Sequence, residues 1–169
     1  MTAQLNFVRQ QGFRDAPAQG CDLRYQALMF QPRVIGVLVL IGLLFQTGPY
    51  FLALGALLWW NAAFPRLNPF DALYNALVAG PKGRPRLEPA PAPRRFAQAM
   101  AGTFMFGIGL SLLAGRVALA LGLEALLLLA LAALVFGRFC LGSYLYLVVT
   151  GQAEYANRTL PWAGRGPAP

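Results

Sequence analysis

The chain of 169 residues contains no histidine. That excludes histidine-ligated haem, histidine-bound zinc, Ser-His-Asp and Cys-His catalysis, and a histidine proton switch. Two cysteines, Cys21 and Cys140, are too few to close a structural zinc site. Cys21 lies in a polar stretch and Cys140 in an apolar one, so no mutual disulfide is expected. Acidic residues are scarce: six Asp and Glu stand against fourteen Lys and Arg, a net charge of +8. Asp71, Glu88 and Glu154 form no spaced cluster, so neither a metal site nor a catalytic carboxylate pair is expected. Gly102, Gly107 and Gly109 sit inside an apolar run and make no phosphate-binding loop.

Charged residues in total make up 12% of the chain, against about 25% in soluble domains. Apolar residues make up 57%. This composition excludes a disordered chain and points to lipid as the solvent. Residues 1–27 carry no apolar core, so no cleavable signal peptide is expected. The basic residues flank the apolar runs, which fits membrane topology better than nucleic acid, and no nucleic-acid partner is expected.

The first apolar run, Val34–Phe45, ends at Gln46-Thr47-Gly48-Pro49, and the second, Tyr50–Phe64, follows at once. Gly-Pro between two such runs predicts a helical hairpin with a tight tip. Arms of about 13 residues reach roughly 20 Å, short of a hydrocarbon core about 30 Å thick. Either the first helix starts near Leu28, with Pro32 and Arg33 in its first turns, or the hairpin dips in without crossing. Phe70, Leu73, Tyr74 and Leu77 then predict a short amphipathic interfacial helix, with Asn68 as N-cap, Pro69 as first residue and Gly80 as stop. Residues 81–93 read as a proline-rich extended linker. A third helix covers Phe96–Ala114, and Gly115-Arg116 interrupts it. Val117–Val149 as one helix would be about 50 Å long, so something must break it; Gly122 and Gly142 are the expected breaks.

The expected architecture is all-α: two membrane hairpins, 33–64 and 96–150, giving about four embedded helices. A polar N-terminal segment (1–32), a loop carrying the amphipathic helix (65–95) and a loosely ordered tail (151–169) complete it. All basic residues except Arg116 and Arg138 lie in those three polar segments or, for Arg33, at the boundary of the first of them. The positive-inside rule then puts both termini and the middle loop in the cytoplasm, for a multi-pass protein of a bacterial inner membrane. Trp59, Trp60, Arg66, Arg94 and Arg95 are the expected interfacial anchors.

Three features exceed packing. Ala99, Thr103, Gly107, Ser111 and Gly115 form a small-residue stripe, suited to this chain's own fourth helix or to a partner subunit. Arg138 lies at mid-depth if the fourth helix runs from Glu124 to Thr150, and is then a candidate for contact with an anion or headgroup. If that helix spans 117–137 instead, Arg138 reaches the interface and Glu124 is the immersed charge. Cys140 is the one candidate reactive thiol of the apolar region, though a lone membrane cysteine also serves as a small apolar side chain.

Phe139-Cys140-Leu141-Gly142-Ser143, taken with Ala63-Phe64-Pro65-Arg66-Leu67-Asn68-Pro69, resembles an uncharacterised family of small bacterial membrane proteins catalogued as a domain of unknown function. The resemblance covers about residues 28–150. It implies two short hydrophobic hairpins and a late Phe-Cys-x-Gly-Cys motif. Cys140 matches the first motif cysteine and Ser143 replaces the second, so an intramolecular dithiol cycle at this motif is not available here. The family supplies no activity to carry over.

The expected function is therefore an accessory or assembly subunit of a larger bacterial membrane complex, for example an energy-transducing one, without catalysis of its own. Its partners would be membrane lipids and protein subunits, with no cofactor. Two alternatives stand beside it: a membrane thiol or sulfur-handling protein using Cys140, and a lipid-, quinone- or pigment-binding module using Arg138 with Phe104, Phe106, Phe136, Phe139 and Tyr144.

Overall fold

Pro32 has no N–H to donate, and its ring crowds the carbonyl of Leu28, four residues back. The first long helix is accordingly jointed at that level. A computed structural model describes residues 2–15, 20–84 and 86–163. In it α1 covers Thr2–Gln10, α2 Cys21–Leu28 and α3 Phe30–Phe45, with Met29 between α2 and α3 still helical in backbone (φ −77°, ψ −9°). α4 is Gly48–Ala63, α5 Pro69–Tyr74, α6 Ala92–Leu113, α7 Val117–Val135, α8 Leu141–Val149 and α9 Ala153–Arg158. Among the described residues there is no strand. Three helices are long and apolar enough to cross a membrane: Cys21–Phe45, Ala92–Leu113 and Val117–Val135. The first helix thus starts ahead of Val34 and takes in Leu28, Pro32 and Arg33, and the rod reaches back to Cys21. α4 has 16 residues and spans about 24 Å.

Tight turns join the pairs. Gln46 closes α3 in the left-handed region (φ 47°), its N–H donating to Gly42 O at 2.8 Å. Gly115 (φ 68°) closes α6, where the Arg116 N–H reaches back to Ser111 O at 2.8 Å. The two hairpins join along a glycine seam between α4 and α6. A Cβ on Gly55 would stand 2.9 Å from Gly102 O, and one on Gly48 would stand 2.7 Å from Gly109 O. Only glycine lets the two backbones approach so closely. Ile35, Val39, Phe51, Leu54, Leu58, Met105, Ile108 and Leu127 fill the core around this seam. Leu40, Leu44, Leu110, Leu113, Leu126 and Leu129 are exposed, the outward apolar belt of a helix bundle solvated by lipid.

The break in the last apolar stretch falls at neither Gly122 nor Gly142. Gly122 lies inside α7 with nothing near its absent Cβ, and Gly142 lies in the first turn of α8, where a Cβ would meet Ala97 Cα at 2.7 Å. The chain breaks instead between Val135 and Leu141, around Arg138, which takes a left-handed backbone (φ 54°). Arg138 is therefore not a mid-helix residue. Its guanidinium lies over the Tyr25 ring, 5.6 Å from the centroid. Glu124 is the immersed charge, 2% exposed.

The N-terminal segment is not merely polar. Phe7, Val8, Phe13, Cys21, Tyr25, Leu28 and Met29 bury themselves in one cluster together with Cys140. The tail is also more structured than expected through residue 163. α9 packs back on α1, where Asn6 Nδ2 donates to Leu160 O (2.9 Å) and Ala163 O (2.8 Å) and the Tyr155 hydroxyl donates to Arg9 O (3.3 Å). Residues 164–169 of the expected tail, and Pro85 of the expected linker, lie outside the described residues.

Candidate functional site

An arginine in the first turn of a helix opposes the helix dipole. Arg94 occupies that position in α6 and is 4% exposed. Its compensation comes from α5. Asn68 caps α5 by accepting from the Phe70 N–H (3.0 Å) and the Asp71 N–H (3.5 Å), which fixes Asp71 in the first turn. Arg94 Nη2 donates to Asp71 Oδ1 at 2.8 Å and Nη1 to Asp71 Oδ2 at 3.4 Å. Asn68 Nδ2 donates to the same carboxylate at 3.0 Å. Gln31 of α3 joins the network through Oε1, which accepts from Arg94 Nη2 (2.9 Å) and Gln98 Nε2 (2.9 Å). The group binds α3, α5 and α6 at one end of the bundle. Gln98 Oε1 is buried there without a partner.

A cavity of about 80 Å³ adjoins this network. Phe7, Leu28, Ile35, Leu58 and Leu134 give it an apolar wall, and Gln31, Arg94, Gln98 and Cys140 also line it. Cys140 is the N-cap residue of α8, 5% exposed, with a free thiol. Its N–H donates to Gln10 Oε1 at 2.8 Å, so α1 holds the start of α8 in place. Ser143, at the second motif position, is fully buried and donates to Pro93 O at 3.2 Å. That bond ties the motif to the residue just before Arg94. Cys21, expected apart from Cys140, is buried in the same apolar cluster, and both thiols are free.

The other sequence candidates scatter. Arg94 is not an interfacial anchor: its partner Asp71 draws it inside the protein. Arg95 donates from Nε to Ala62 O at 2.7 Å, Arg66 is exposed, and Trp59 and Trp60 are half-exposed. The small-residue stripe divides. A Cβ on Gly107 would meet Leu123 of α7, and Ser111 is buried with its hydroxyl on Gly107 O at 2.7 Å. Thr103 is exposed, Ala99 lines a surface recess beside Trp59, and Gly115 forms the turn. The five aromatic residues grouped from sequence share no groove: Phe104 packs into the central core, Phe106 stands beside Gly55, Phe136 is 84% exposed, and Phe139 packs on Tyr144.

Sequence reasoning missed Gln31, Asp71 and Gln98. The available signal was polar residues set inside or beside apolar helical runs: Gln31 just before Val34–Phe45, and Gln98 four residues after Arg94. At the opposite end of the bundle, Gln46 Nε2 donates to both Glu124 oxygens, at 3.0 and 3.2 Å.

A family model described as a domain of unknown function, DUF4395, matches residues 25–150. No curated protein and no solved structure matches the chain.

Proposed function

The chain belongs to the DUF4395 family, and on that footing we propose that it is a membrane thiol protein whose reactive group is Cys140. The observation that carries this reading is the shared cavity. Its lining includes a free cysteine at a helix start and a buried arginine network, in which the Gln98 amide oxygen has no partner among the described residues. An apolar cavity in a membrane protein favours a lipophilic disulfide over a charged one. In the proposed step the Cys140 thiolate attacks one sulfur of a disulfide RS–SR′. The products are a Cys140–S–S–R mixed disulfide and R′S⁻. An external thiol then displaces Cys140 and leaves with the RS group, so no second protein cysteine is needed. The position of Ser143 supports exchange with an outside thiol over an internal dithiol cycle.

The reading as an accessory subunit draws less support, because part of the small-residue stripe on α6 is used against α7. The location proposed with the thiol reading is a bacterial inner membrane, with the Arg94 end facing the cytoplasm, on the strength of the basic loops.

The test is methylthiolation of the purified protein in mild detergent by methyl methanethiosulfonate, which releases methanesulfinate, read by peptide mass spectrometry. Cys140 is expected to take up the methylthio group in the folded state and to release it to glutathione. Cys140→Ala should abolish that signal with no change in the melting temperature beyond a few degrees. A Cys140 that reacts only after unfolding would overturn the reading.

A further inference from the structure

We propose a second site: an anionic phospholipid binds in the recess between the start of α3 and the chain after α5. The recess has a volume of about 350 Å³. Arg33 and Arg84 line it, together with the side chains of Phe30, Val34, Val37 and Val78. Among the described residues neither arginine lies within 4 Å of a carboxylate. Arg84 Nη1 donates to Gln26 Oε1 at 3.5 Å, its one side-chain hydrogen bond among the described residues. Tyr74 belongs to the same lining, is 3% exposed, and keeps its hydroxyl buried without a partner. A donor left unpartnered in a protein interior calls for an acceptor.

The chemistry of the occupant follows from this set. Two guanidinium groups are donors only and a phenol can donate, and a phosphodiester offers acceptor oxygens only. A lipid source fits better than a free anion because the recess continues along the first membrane-length helix. Val34 and Val37 lie about one and two turns into α3, the later part of that helix, and Val37 is 57% exposed. Leu73 and Leu77, exposed on the neighbouring segment, set the level of the membrane interface there. A headgroup phosphate at Arg33 and Arg84 thus places its acyl chains on apolar side chains. The second charge favours an anionic lipid over phosphatidylcholine, whose choline would add a cation beside two arginines.

The experiment is native mass spectrometry and thermal melting of the full chain in neutral detergent, with added dioleoyl phosphatidylglycerol, dioleoyl phosphatidylcholine or inorganic phosphate. Phosphatidylglycerol should remain bound and raise the melting temperature, and the other two should not. Arg33→Gln combined with Arg84→Gln should weaken phosphatidylglycerol binding by about thirtyfold. Tyr74→Phe, which keeps the ring, should weaken it severalfold, and Arg66→Gln should leave it unchanged. Equal effects of the two lipids would overturn the proposal. So would full binding by the double variant and by Tyr74→Phe. Stabilisation by inorganic phosphate alone would reassign the site to a free anion.

Discussion

Arg94 Nη2 and Asp71 Oδ1 meet at 2.8 Å with both side chains almost wholly buried, joining the first turn of α6 to the first turn of α5. Such a pair gains less from its own attraction than it loses when one partner is removed. Arg94→Ala should therefore destabilise the protein by about 3–5 kcal/mol, because it leaves the Asp71 carboxylate buried with only Asn68 as a side-chain donor. Replacing both, as Arg94→Met with Asp71→Leu, should recover much of that loss. Unfolding by denaturant in detergent micelles measures both.

Glu124 and Gln46 offer a second cycle at the other end of the bundle. Gln46→Leu leaves the carboxylate without its side-chain donor and is expected to cost about 1–3 kcal/mol. Glu124→Gln should be milder, since an amide retains one acceptor for Gln46 and carries no charge to bury. The coupling energy between the two positions should fall between about 0.5 and 3 kcal/mol. Additive effects of the two substitutions would show that the contact does not hold in the folded protein.

The glycine seam predicts a sharp contrast among glycines. Gly55→Ala forces a methyl group to 2.9 Å from Gly102 O, a backbone atom that cannot turn aside. A loss of about 1–3 kcal/mol is expected. Gly122→Ala meets nothing within 4 Å inside α7 and should be neutral, or stabilising by up to about 1 kcal/mol. A pair of melting curves decides it.

Gln98 separates binding from stability. Its Oε1 is already unpartnered, so Gln98→Met sacrifices only the bond to Gln31, which Arg94 still serves. The expected cost is about 1 kcal/mol or less. The same variant takes a buried amide out of the cavity that Cys140 also lines and should change the rate at which that thiol is methylthiolated. An unchanged rate would confine Gln98 to a structural part.

The hairpins could be read from the chain because turn chemistry and apolar length speak locally. Gln46-Thr47-Gly48-Pro49 and Gly115-Arg116 lie where the helices reverse, and Asn68 caps α5 as its sequence neighbours suggest. The amphipathic segment was only half legible. Phe70 and Tyr74 turn inward, Leu73 and Leu77 outward, and the segment ends in a π-turn over Asn75–Ala79. The site was mostly illegible because its members come from distant parts of the chain. Arg94 reads as an interfacial cation until Asp71, 23 residues earlier, is known to lie beside it. Cys140 is covered by Phe7 and anchored by Gln10, and no periodicity in a short polar segment announces that role. The α7–α8 break is not legible from the glycines, because Arg138 itself adopts the left-handed backbone.

The seam between α4 and α6 also acts as a vernier. Gly48 and Gly55 lie seven residues apart, as do Gly102 and Gly109, and the pairs run in opposite directions. Sliding one helix past the other by a heptad would leave a single pair aligned, so the vertical setting of the two hairpins has one preferred notch. Arg94 stands eight residues before Gly102 on the same helix, about 12 Å along its axis. The notch thereby delivers the guanidinium to the height of Asp71. One residue inserted between Arg94 and Gly102 would swing the guanidinium by about 100° away from its carboxylate.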